Sequence, residues 1–285
     1  MKPSAASNGN DLSQAFLSSR VVPTSPADAI DIDANRRLLN RYRFVQHETM
    51  RILAGWLPRI ARFELKCETS RTLWENSLHV NAFYLRLREI QSPAFQKPSD
   101  STLVTVMSEM LHAPDEFGLC LALYRVVVPS LIEALATHET ATFPNSDLPS
   151  VHAIKHALID LRGQIERVEP LLAEAEASGQ VTAAAREWQG YITQLLAHAG
   201  GVSGLQERPV TPPVAPASRA PFVAPREARR DERFSELAAD PAQMPGEEDY
   251  VGHTVEEFER YSTEMLAAET VALVMLNGGV LASSV

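Results

Sequence analysis

Apolar residues recur along this chain at helical spacing, most clearly from Phe63 to Glu89, FELKCETSRTLWENSLHVNAFYLRLRE, which holds no Pro or Gly. The pattern predicts one long helix there. Projected at about 100° per residue, Glu64, Glu68, Arg71, Glu75, His79 and Arg86 fall in one narrow stripe. Lys66, Ser70, Ser77, Asn81 and Arg88 form a second polar stripe on the opposite side. Two apolar flanks separate them. Leu65, Leu73, Val80, Phe83 and Leu87 make one; Cys67, Trp74, Leu78 and Leu85 make the other. An ordinary surface helix has one polar and one apolar face. Here, if one polar stripe meets water, the other is held between packed flanks. The Glu75 and His79 stripe is the one expected inside, because carboxylate beside imidazole is metal-ligand chemistry. The alternative is a solvated face laced by pairs such as Glu68–Arg71.

The same periodicity places the other elements. A first helix runs from about Asn35 to Trp56, with Leu38, Phe44, Val45, Ile52 and Trp56 on its apolar face and Glu48 in the middle of that face. Pro58 ends it and starts the next, so the two should form an antiparallel hairpin. A short helix is expected near Leu103–Leu111, then a nearly all-apolar one from Glu116 to His138, kinked at Pro129. Glu133 shares a face with Leu119, Ala122 and Val126. A fourth long helix follows, capped by Ser146 or Asp147 with Pro149 in its first turn, and carries Asp160 on the face of Ala153, Ala157 and Gln164. Thr182 to His198 is a shorter helix closed by Gly200, Gly201 and Gly204. A last helix spans about Val255 to Leu276, where Phe258, Ser262, Met265, Leu266, Glu269, Ala272, Leu273 and Leu276 share a face. No strand pattern competes, so the fold class is all-α.

Composition divides the chain further. Residues 1–33 are polar and small and read as an N-terminal arm. Residues 34–202 form the helical bundle. Residues 203–253 hold six prolines between Pro209 and Pro225 and read as a linker or a strap over the surface. Residues 254–285 supply an extra C-terminal helix expected to pack on the bundle. The net charge of −10 argues against nucleic acid as a partner. Two cysteines, Cys67 and Cys120, make neither a disulfide framework nor a zinc set, and both are expected as buried thiols. No signal-peptide core and no uninterrupted apolar run of membrane length is evident, so a soluble cytoplasmic protein is expected.

The isolated acids repeat. Glu48 and Glu75 are 27 residues apart, with His79 four further on; Glu133 and Asp160 are also 27 apart, with Gln164 four further on. Four-helix bundles that bind two metals use such a pattern, one acid from each of two helices and an acid with a histidine one turn away from each of the others. The usual spacing is Glu-x-x-His; Glu75 and His79 are one residue wider but still share a face. Gln164 stands where a histidine is expected, and His156, one turn before Asp160, could substitute.

The runs RILAGWLPRIARFELK and TLWENSLHVNAFYLRLRE resemble the N-terminal half of bacterial ferritin-like proteins, and LYRVVVPSLIEAL, DLPSVHAIKHAL and FERYSTEMLAAETVALVML resemble later segments. The resemblance covers roughly residues 36–176 and 254–276. It implies a ferritin-like up-down helical bundle, often with two carboxylate-bridged iron or manganese ions. Two departures stand out: Gln164, and a chain that stops where such proteins continue into a further Glu-x-x-His helix.

Two functions follow. The first is a non-haem di-iron or di-manganese oxidase or oxygenase acting on a small organic substrate, with Glu48, Glu75 and His79 on one metal and Glu133, Asp160, His156 or Glu269 on the second. The second is a non-catalytic helical scaffold that has lost a complete metal site, with the acidic surface and the Pro-rich strap as its working parts. A homodimer is compatible with either. His47 is expected at the surface, and His112, His138 and His152, with no partner at ligand spacing, as loop or surface groups; Trp56 and Trp74 are expected in the core. Ser130 and Ser150 lack a nucleophile-elbow context and the glycines form no phosphate loop.

Overall fold

The structure is a computed structural model and describes residues 29–92, 100–143, 145–225 and 227–233. These are all-helical, with no strand and six α-helices among the described residues. Helix α1 is Ile32–Trp56, α2 is Phe63–Glu89, α3 is Ser101–Glu109, α4 is Glu116–Ala141, α5 is Leu148–Ala177 and α6 is Ala183–His198. Local chemistry sets their starts. The side chains of Asp31, Asp100, Asp115, Asp147 and Thr182 each accept a backbone N–H in the first turn that follows, which satisfies donors a helix start leaves open.

The irregularity expected at Pro129 lies one turn earlier. Residues Leu123–Val127 form a π turn inside α4, and the Val128 N–H reaches back to the Leu123 carbonyl. Proline has no N–H to give the preceding turn, and its ring crowds the carbonyl there. A wider turn relieves both.

Four long helices close around one core. α2 runs antiparallel to α5, because Arg62 pairs with Glu174 near one end and Arg86 with Asp147 near the other. α4 runs antiparallel to α5, with Arg125 on Glu169 and Glu176 and Lys155 on Glu139. The start of α1 meets the end of α4, where the Ile30 N–H donates to the Ala141 carbonyl, and Tyr42 donates to the Ala134 carbonyl. The directions are therefore up, down, down, up for α1, α2, α4 and α5, with a crossover from α2 to α4 through α3. Trp56, Tyr42, Phe44, Phe83 and Tyr124 fill the interior, and Trp188 buries the inner face of α6. Helix α4 is long and apolar enough to cross a membrane by length and composition, unlike the expectation from the sequence, and 61% of its most apolar window is buried inside the bundle.

After α6 the chain turns at Gly200, Gly201 and Gly204, with φ of +75°, +69° and +74°, a region open to glycine. The Pro-rich segment then behaves as a strap. Arg219 pairs with Glu109, the Phe222 ring lies 6.5 Å from that of Trp56, and the Arg229 N–H donates to the Pro58 carbonyl. At its end Asp231 accepts the Phe63 N–H at 2.8 Å. The first residue of α2 is thus capped from 168 positions away, in place of Arg62, whose side chain makes no capping bond. Residues 1–28 of the expected arm and the expected C-terminal helix lie outside the described residues, and helix α1 begins at Ile32, inside the bounds expected for the arm.

Candidate functional site

The centre of the polar stripe of α2 is inside, while Arg71 of the same stripe is exposed and Glu64, Glu68 and Arg86 are part-buried. Glu75 and His79 are both buried, and they face α5. Residues four apart on a helix share a face. In an antiparallel pair, the first residue of one such couple meets the second of the other. Accordingly Gln164 Nε2 donates to Glu75 Oε2 at 3.0 Å, and His79 Nε2 lies 2.8 Å from Asp160 Oδ2. The two four-residue couples, Glu75 with His79 and Asp160 with Gln164, thus meet across one helix–helix seam, whereas the first members of the 27-residue repeat, Glu48 and Glu133, lie outside it.

Glu75 is the centre of that seam. The Arg167 guanidinium lies 3.0 Å from each of its two oxygens, Arg71 Nε donates to Oε1 at 2.9 Å, and Gln164 holds Oε2. Arg167 also reaches Glu68 at 2.7 Å, and Gln164 reaches Asn76 Oδ1 at 3.3 Å. Tyr124 closes the inner side by donating to Thr72 at 3.0 Å. Burying a carboxylate demands such partners, since an unpaired one costs far more than any single contact returns.

His79 behaves as the neutral partner. Burial lowers its imidazole below the ordinary range, against the upward pull of Asp160 and Glu75, with His156 adding a smaller downward push. Nε2 therefore carries the proton and donates to Asp160, and Nδ1 has no hydrogen-bond partner among the described residues. Asp160 is half-exposed at the rim.

The remaining predicted ligands lie elsewhere. Glu48 is not in the middle of the buried face. It is half-buried and held within α1 by Arg51 at 2.8 Å and His47 at 3.2 Å. Burial raises its pKa, but the His47 hydrogen bond and the Arg51 charge outweigh that and leave it below the ordinary value. Glu133 is exposed and accepts from Gln206 at 3.0 Å. Its apolar neighbours in projection do not enclose it, because the π turn shifts the register of α4 between Leu119 and Glu133. His156 is exposed and stacks edge-on with His152, ring centroids 4.4 Å apart. Glu269 lies outside the described residues. Among the described residues no group of three or more His, Cys, Asp or Glu is placed to hold a metal ion.

The donor set at Glu75 does not fit a divalent cation either. Both carboxylate oxygens already accept hydrogen bonds, and two guanidiniums occupy the positions from which a metal would bridge. A cation there would sit beside two fixed positive charges. No reaction step is assigned through a metal.

Other side chains depart from the sequence expectation. His138 is fully buried, not at the surface, and neither ring nitrogen has a partner among the described residues. Trp74 is 60% exposed, not core, and Cys67 is exposed while Cys120 is buried. Only one apolar flank of α2, that of Leu65, Phe83 and Leu87, packs inside. Sequence reasoning missed Arg167, Asn76 and the fully buried Gln46. Arg167 was accessible in principle: it stands three residues after Gln164, on the same face, where a buried Glu75 needs a cation.

The chain matches no family model, no curated protein and no solved structure.

Proposed function

We propose that this protein is a non-catalytic helical scaffold built on a ferritin-like bundle whose metal positions have become a structural ion-pair seam. The observation that carries this reading is the closure of Glu75 by Arg167, Arg71 and Gln164. The order of helix directions, with one crossover between the second and third long helices, supports the ferritin-like likeness. On this reading the outer faces of the bundle are the working parts. A cytoplasmic location and a protein partner belong to the same proposal.

Anaerobic loading with Fe(II), followed by desalting and metal analysis, tests it. The scaffold reading expects less than about one iron per chain, unchanged by Glu75→Ala. Stoichiometric iron lost in Glu75→Ala, with iron-dependent O₂ consumption by the wild type, would overturn it in favour of the di-iron oxidase.

A further inference from the structure

Three large apolar side chains of the second flank of α2 are turned outward. Trp74 is 60%, Leu78 48% and Leu85 46% exposed, and the flank starts at the exposed Cys67. Ile159 of α5 is 66% exposed. Leu78 precedes the seam residue His79, and Ile159 precedes its partner Asp160. In an antiparallel pair the residues just before two facing positions lie on the same side of the seam. Ile159 therefore extends the ridge across to α5, and the ridge is a surface shared by two helices.

We propose that this ridge is the docking site of the chain's own segment Val255–Leu276, which lies outside the described residues. Three features select that occupant. The first is where the described chain ends. The strap delivers residues 231–233 to the start of α2, with Asp231 on the Phe63 N–H and Arg233 on Glu64. That is one turn from Cys67, where the ridge begins. The 21 residues from 234 to 254 reach about 70 Å when extended, so the segment can lie along the ridge in either direction.

The second feature is length. Leu85 lies 18 positions after Cys67, and Leu276 lies 18 positions after Phe258, a rise of about 27 Å for each stretch in helical form. Phe258, Met265, Leu266, Leu273 and Leu276 form one apolar face in the segment, the width a two-helix ridge accepts.

The third feature is charge. The segment carries Glu256, Glu257, Glu259, Glu264 and Glu269 against Arg260 alone. Arg71 and Arg88 are exposed along the ridge and Lys155 and Arg162 on α5, Arg71 also pairing with Glu75 and Lys155 with Glu139, with Glu89, Glu166 and the half-exposed Asp160 as the acids beside them. The surface is therefore the more basic partner. A second copy of the chain would bring the same cations against themselves. A tethered segment also acts at an effective concentration in the millimolar range. The docking is independent of whether the seam binds metal.

The test uses the full chain and acrylamide quenching of tryptophan fluorescence. The chain has three tryptophans. Trp56 and Trp188 are buried, so external quenching reports Trp74, with Trp74→Phe as the control. The proposal expects Trp74 to be shielded in the wild type. The double variant Met265→Asp, Leu273→Asp should raise its quenching several-fold, with unchanged helical content of the bundle. Leu78→Asp, at an exposed position, should abolish hydrogen-exchange protection of residues 255–276. Wild-type quenching equal to that of the double variant would overturn the proposal. So would shielding that grows with protein concentration and survives the tail substitutions, which would assign the ridge to a second copy.

Discussion

Arg167 lies 3.0 Å from both carboxylate oxygens of Glu75, across the α2–α5 seam and beneath the surface of the bundle. This one pair converts a stripe that looks like metal-ligand chemistry into a structural joint. Glu75→Gln keeps the shape but removes the charge that two guanidiniums address. It should cost about 1–3 kcal/mol in urea unfolding. A double-mutant cycle with Arg167→Met should show coupling of at least about 0.5–1 kcal/mol. Additive single effects would mean that the pair contributes nothing specific.

Much of this joint was legible in the sequence. Phe63–Glu89 emerges as a single helix, because Pro and Gly are absent and the apolar period holds throughout, and Glu75 and His79 at the centre of its polar stripe are inside. The two four-residue couples, Glu75 with His79 and Asp160 with Gln164, do meet, while Glu48 and Glu133, each 27 residues upstream of a couple, do not join them. What the sequence could not convey is which residue satisfies each buried charge. Projection places Glu48 and Glu133 on apolar faces, yet a side chain at the edge of such a face escapes to water or to a neighbouring arginine, as both do. A π turn that shifts helical register leaves no signal in apolar periodicity, and α4 contains one. Trp74 and Leu78 read as core because they are apolar; their exposure depends on which helices surround α2, and local pattern does not encode that.

His138 makes stability acid-sensitive. Burial pushes its pKa down to about 4, with Asp147 a weaker opposing influence. The unfolded imidazole titrates near 6.5. Below that pH the unfolded chain takes up a proton that the folded chain refuses. Stability is therefore full above about pH 6.5 and falls toward pH 4, by on the order of 3 kcal/mol. Lowering of the His79 pKa acts in the same direction. His138→Leu should flatten this part of the pH profile and be neutral or stabilising at pH 5, since the imidazole nitrogens have no described partner. A profile unchanged by the substitution would show that His138 does not carry the dependence.

The strap contributes to the bundle it crosses. Asp231→Ala removes the cap on the Phe63 N–H and should lower stability by about 1 kcal/mol. Deleting residues 207–232 should cost more, because Phe222 packs on Trp56 and the Arg229 N–H is anchored on Pro58. Thermal melts of both variants against wild type check it; identical midpoints would show the strap to be a passive tether.

The most direct measurement of the central claim is urea unfolding of wild type and Glu75→Gln, each with chelator and with anaerobic Fe(II). A ligand that binds only the folded state at 100 times its Kd stabilises by about 2.7 kcal/mol, well within resolution. Iron should move neither midpoint, and Glu75→Gln should be less stable than wild type by the same amount in both conditions. A wild-type midpoint raised by Fe(II), with the rise lost in Glu75→Gln, would contradict it.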